Sequence, residues 1–148
     1  MFTVIILNIV FVFFAYMARY KFLRHGLKLS FLLIFIFLAL RYNFGNDYKA
    51  YYESFIQANR VETIYYFHNT FYFEPGWLFL CRLFKPLGFF TMVAFLALFN
   101  CIIFYQFIKK YISVKYYWLA VFLYVFNPSF MLIQLSAMRQ TIAITLFL

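Results

Sequence analysis

The sequence predicts an all-α integral membrane protein with about four transmembrane helices and the start of a fifth, plus short interfacial helices in the first extracytoplasmic segment. Three observations predict it. Of 148 residues, 68% are hydrophobic and only 11% charged, against about 45–50% and 25% in a soluble domain. Apolar runs recur at lengths approaching the ~20 residues that a spanning helix needs. Basic residues gather between those runs without acids, as cytoplasmic loops do.

Each element follows from that pattern. Phe2 to Met17 is an apolar run that reads as a first span heading inward. It ends at the cluster Arg19, Lys21, Arg24 and Lys28. No basic segment precedes the run, so it reads as a retained anchor rather than a cleaved signal. Leu29 to Leu40 reads as a second span, short for a bilayer unless it extends back to Gly26. It delivers Arg41 to the outer face. Leu87 to Ile108 returns the chain to a second basic cluster, Lys109, Lys110 and Lys115. A fourth span starts near Tyr116.

The net charge of +9 does not point to nucleic acid, because the excess sits in these two loops. Anionic headgroups account for it. The membrane is thus the first expected partner, and nucleic acid is not one.

Asn127-Pro128 interrupts the fourth apolar stretch, since proline breaks or restarts a helix. Ser136, Arg139, Gln140 and Ala143 then fall at i, i+3, i+4 and i+7, a narrow polar stripe. Two readings of 128–148 stay open. Either a span ends near Leu135 and Arg139 starts a fifth, or one broken span runs past Arg139. The chain stops at Thr145-Leu-Phe-Leu148 inside an apolar run. The whole, 1–148, therefore reads as a single transmembrane domain forming the N-terminal part of a longer polytopic protein.

All four side-chain carboxylates (Asp47, Glu53, Glu62 and Glu74) lie in the segment 41–85. By the span count this segment and the N-terminus are extracytoplasmic. Carboxylate chemistry is confined there. Asn43 to Asp47 is rich in turn formers, and Asn46 or Asp47 can cap a helix. In that helix Tyr48, Tyr51, Tyr52 and Phe55 share one face. Residues Asn59 to Thr70 read as a connector. Glu74-Pro75-Gly76 starts a second short helix, with proline in its first turn. There Trp77, Leu80, Cys81 and Phe84 form a stripe, while Arg82 and Lys85 reach water or headgroups. Cys81 and Cys101 make no metal or disulfide pattern and read as small apolar residues.

Arg139 is the most suggestive single residue. An arginine within a span costs about 2.5–3.5 kcal/mol on insertion scales, so it faces a cavity or partner. The plainer reading is an arginine snorkelling from a helix end. Arg41 reads plainly as a stop-transfer anchor, Asp47 as a cap, Glu74 as a helix-start residue, and Tyr48 and Tyr51 as an aromatic belt.

Three stretches resemble the EpsG family. Arg41-Tyr-Asn-Phe-Gly45-Asn-Asp47-Tyr48-Lys-Ala-Tyr51 is similar to its "R…G.DY..Y" signature. Glu74-Pro75-Gly76-Trp77 resembles its "EPG" element, and Ser136-Ala-Met138-Arg139-Gln140-Thr-Ile-Ala143 its "S..RQ..A" stretch. The resemblance implies a bacterial inner-membrane, multi-pass, Wzy-like polysaccharide polymerase. Such a glycosyltransferase joins undecaprenyl-pyrophosphate-linked repeat units in exopolysaccharide or O-antigen biosynthesis. It implies pyrophosphate or glycan binding by Arg41, Arg139, Gln140, Tyr48 and Tyr51. It also implies a carboxylate base at Asp47 or Glu74, with no metal and no cofactor. Expected partners are the lipid-linked oligosaccharide, membrane lipids and other polysaccharide-assembly membrane proteins. A lipid-linked sugar flippase or transporter, and a non-catalytic membrane subunit, are the alternatives.

Overall fold

A computed structural model of the chain describes residues 2–20, 25–40, 47–60, 75–127 and 138–147. Every described element is helical. The order is α1 (Phe2–Met17), α2 (Gly26–Ala39), α3 (Tyr48–Arg60), α4 (Pro75–Leu83), α5 (Phe89–Tyr111), a 3-10 turn (Val114–Tyr116), α6 (Tyr117–Phe126) and α7 (Met138–Phe147). These bounds follow the apolar runs and breaks of the sequence. The expectation of four spans holds only in part. Among the described residues, α5 alone is long and apolar enough to cross a membrane, at 23 residues. With 16 and 14 residues, α1 and α2 fall short of the ~20 that a bilayer core requires.

The helices bury two apolar cores that share α5. The larger draws on α1, α2, α6 and the second half of α5, with Phe11, Phe31, Ile34, Phe104 and Val121 among its members. The smaller holds α3, α4, the start of α5 and Met138 of α7. Between apolar helices in lipid, water exclusion drives little, so close packing and hydrogen bonds decide which faces meet.

At the α1–α2 contact those two terms are visible. A Cβ on Gly26 would collide with the Phe14 carbonyl oxygen and lie 2.8 Å from the Ala18 backbone nitrogen. One turn later Ser30 Oγ donates to the Phe11 carbonyl at 2.8 Å. Gly26 and Ser30 thus let two backbones approach, with Ala15 and Ala18 buried opposite. The pairing of 26 with 14–18 and of 30 with 11 makes the helices antiparallel.

A turn joins α4 to α5, with Leu87 and Gly88 both donating to the Phe84 carbonyl. Gly88 takes φ 86° and ψ 165°, a region that only glycine populates.

α6 stops at Phe126, half-way along α5. Tyr124, near its end, reaches Asn100 in the middle of α5, where Asn100 Nδ2 donates to the tyrosine oxygen at 3.1 Å. Proline at 128 has no N–H for the Tyr124 carbonyl and pushes Asn127 out of the helical region. Asn127 is extended at φ −74° and ψ 114°. The buried Asn8 of α1 covers part of the loss, donating from Nδ2 to the Val125 carbonyl at 3.3 Å. Among the described residues its Oδ1 has no partner.

Of the stretch 128–148 that the sequence left open, α7 describes 138–147, and residues 128–137 lie outside the described residues. Met138 lies in the small core near the start of α5, and Thr145 Oγ donates to Asn100 Oδ1 at 3.2 Å. The helix therefore runs alongside α5 in the same direction, with Arg139 towards the end that meets the small core.

Candidate functional site

The site is built from α3, α4 and the first turn of α7. Aromatic side chains at helical period give α3 one apolar face, and that face lies on the first residue of α5. The Phe89 ring is contacted by Tyr48 at 5.5 Å, Tyr52 at 5.4 Å and Phe55 at 5.6 Å between centroids, all edge-on. Such pairs contribute about 0.5–1.5 kcal/mol each beyond burial. They fix α3 across the Phe89 end of α5.

On the neighbouring side of α3, Tyr51 packs on Trp77 of α4, with centroids 5.0 Å apart. Trp77 Nε1 donates to Ser54 Oγ at 3.2 Å, and that hydroxyl donates to the Tyr51 carbonyl at 2.8 Å. The indole is thereby held by a buried serine one turn beyond the tyrosine. Arg139 of α7 completes the group. Its Cζ stands 5.7 Å from the centroid of the Tyr51 ring, and the side chain is half-buried. A guanidinium stacked on a ring engages its face, while its N–H donors lie in its plane, where phosphate oxygens are bound.

Of the residues expected at a site, Tyr51 and Arg139 are brought together. Tyr48 is buried on Phe89, so its ring faces protein, while Tyr52 beside it is 45% exposed. Asp47 is exposed and its carbonyl accepts from Tyr51 N–H at 3.0 Å, which places it at the N-cap of α3. Gln140 is exposed on α7. Arg41 and Glu74 lie outside the described residues, as does Ser136. Cys81, fully buried in the same core as Trp77, is not in a disulfide, and burial pushes the pKa of its thiol up to about 11.

Sequence reasoning missed Ser54 and the Asn100–Tyr124–Thr145 cluster. Ser54 gave no signal beyond its place one turn after Tyr51. Asn100 did give one: a lone amide in the middle of an apolar run needs partners.

Described residues of the three stretches that carried the resemblance thus meet in space. Tyr51 comes from the first, Trp77 from the second and Met138-Arg139 from the third. The family model described as EpsG family matches residues 26–148. No characterised protein and no solved structure matches the chain. A match over residues 26–148 takes in most of the sequence and all three stretches, and the chain belongs to the EpsG family.

Proposed function

We propose that this protein is a membrane-embedded polysaccharide polymerase. In this reading it joins repeat units carried on undecaprenyl pyrophosphate, in the manner of Wzy-type enzymes. The observation that carries the reading is the placing of Arg139 over the Tyr51 ring, with Trp77 packed on the same tyrosine. It assembles a cation and an aromatic wall from three segments far apart in sequence. Family membership supports a polymerase-like membrane protein, and α5 has the length and apolarity of a span.

In the reaction, an acceptor hydroxyl of one lipid-linked unit attacks the anomeric carbon of the glycan on another. The C–O bond to pyrophosphate breaks, and the electron pair leaves with the phosphate oxygen. Pyrophosphate is already a good leaving group, so stabilising its charge matters more than protonating it. Arg139 serves that role, with Arg41 as its proposed companion and Gln140 as a further donor. Asp47 or Glu74 takes the acceptor proton. Tyr51 orients the guanidinium, and Tyr48 supports α3. A sugar face would meet Tyr52, whose ring is open, in place of Tyr48.

The basic residues Arg19, Lys28, Lys109, Lys110 and Lys115 are all exposed, and they gather at the Tyr111 end of α5. The positive-inside rule assigns that end to the cytoplasm. The Phe89 end, with segment 41–85 and the N-terminus, is then extracytoplasmic in a multi-pass protein of the bacterial inner membrane.

Purified full-length protein with a lipid-linked repeat unit tests the reading. Arg139→Ala abolishes elongation while the protein still inserts and remains monodisperse. Long polymer from that variant would remove Arg139 from the mechanism. Transport of the lipid-linked unit across sealed vesicles, with no new glycosidic bond, would favour a flippase.

A further inference from the structure

α4 has two apolar faces, and the described residues cover only one. Trp77, Cys81 and Phe84 are buried against α3 and α5. On the other side Phe79 and Leu83, one turn apart, are 67% and 57% exposed, and Leu87 just beyond the helix is 62% exposed. Arg82 borders this row on the helix surface, Lys85 follows in the turn, and both are exposed.

A helix of nine residues is about 13.5 Å long and cannot cross a bilayer core of about 30 Å. The row therefore lies beside the Phe89 end of α5 as an apolar strip with a cationic edge. From residue 75 to 148 the sequence contains no Asp or Glu, and Glu74, the nearest acid along the chain, lies eight residues before Arg82, so the strip's edge is cationic. An occupant that satisfies both parts has a long apolar tail and an anionic phosphate head.

The opposite face of the same short helix carries Trp77, which packs on Tyr51, the ring that Arg139 stands over. One helix thickness, about 10–12 Å, thus separates the open strip from the candidate site. A bulk phospholipid would meet the tail and charge requirements alone. A lipid-linked substrate must also bring its phosphate to the Arg139 site while its tail stays in the bilayer, and α4 forms the wall between the two.

We propose that this face of α4 is a docking ledge for the polyprenyl carrier of the substrate. The isoprenoid tail lies along Phe79, Leu83 and Leu87, and the phosphate is held by Arg82 and Lys85 on its way to Arg139. This rests on the polymerase reading, which supplies the carrier.

The test uses full-length protein in phosphatidylcholine nanodiscs, with a benzophenone amino acid replacing Phe79. The probe is radiolabelled polyprenyl phosphate, and a second preparation carries the photoreactive group at Leu119, on α6. Label is expected at position 79 and not at 119. Unlabelled polyprenyl phosphate should compete, and the same amount of phosphatidylglycerol should not. The double variant Arg82→Ala/Lys85→Ala should lose about tenfold in labelling, since charge-assisted contacts to phosphate are removed. Gel filtration and thermal melting of that variant verify its fold, and Leu83→Gln gives a second, tail-side variant expected to weaken labelling.

Equal competition by phosphatidylglycerol would make the face a general contact for anionic lipid and overturn the proposal. So would equal labelling at 119, or a crosslink from 79 to a protein segment. Elongation, measured separately, keeps the two ideas apart. Labelling as described with no elongation by wild-type protein would sink the polymerase reading and leave the ledge. Undiminished elongation in variants that no longer take label would sink the ledge alone.

Discussion

Arg139 stands over the ring of Tyr51, its Cζ 5.7 Å from the centroid, although the two residues belong to α7 and α3. The pair links the "S..RQ..A" stretch to the tyrosine-bearing segment, as does Met138 in the core beside Tyr51. Tyr51 also leans on Trp77, so the cation's position depends on three helices at once.

That dependence gives the first prediction. A cation–π contact contributes about 0.5–2 kcal/mol, which corresponds to roughly a twofold to thirtyfold change in a rate it supports. Tyr51→Phe keeps the ring and should keep elongation near wild type. Tyr51→Leu should lose elongation within that range. A turnover assay on purified protein checks both. Equal activity of the two variants would show that the ring does not set the guanidinium.

Asp47 poses a sharper choice, between cap and base. Its carbonyl accepts the first hydrogen bond of α3, and asparagine caps about as well as aspartate. Asp47→Asn should therefore leave the melting temperature unchanged and abolish elongation. Asp47→Ala should lose elongation and also about 0.5–2 kcal/mol of stability. Normal elongation by the asparagine variant would confine Asp47 to capping.

The α1–α2 contact predicts a large stability effect far from the site. Gly26→Ala puts a methyl group into the Phe14 and Ala18 backbones, which cannot yield as a flexible side chain would. The helices must separate, with a cost of about 1–3 kcal/mol for overpacking. Ser30→Ala removes one hydrogen bond and should cost about 0.5–1.5 kcal/mol. Thermal melts in detergent should rank Gly26→Ala below Ser30→Ala, and both below wild type.

Cys81 predicts a pH effect. Burial disfavours its thiolate and raises the pKa from the ordinary 9.0 to about 11. Below pH 9 thiol and fold are compatible, so the stabilising contribution is fully present there. It declines as pH rises from 9 towards 11, because the unfolded chain releases the proton more readily. Iodoacetamide at pH 8 should leave Cys81 unmodified in folded protein and alkylate it after denaturation. Rapid labelling of the native state, measured by mass spectrometry, would contradict the burial.

Local features were legible in the sequence because their causes are local. Apolar runs set the extents of α1, α2 and α5, and proline at 128 ended α6 through its own backbone. The period of Tyr48, Tyr51 and Phe55 defined a face before any partner was visible. The stripe of Trp77, Cys81 and Phe84 did the same for α4. Asp47 and Arg139 could be singled out as chemically suggestive, but each carried a plainer structural reading.

Those competing readings turn on contacts between distant residues. Only the tertiary structure showed that Thr145 meets Asn100, so that α7 runs with α5 and brings Arg139 to the small core. Only packing joined Ser54 to Trp77 and buried Tyr48 while leaving Tyr52 open. Spacing along the chain fixes which residues share a face, because helical geometry is periodic. It does not fix which faces meet. That is decided by close approach at residues such as Gly26, by shape at Phe89, and by the few polar groups that must find partners away from water. By itself the sequence determined a helical membrane protein whose carboxylates are confined to 41–85, and the tertiary structure decided which of its residues stand together.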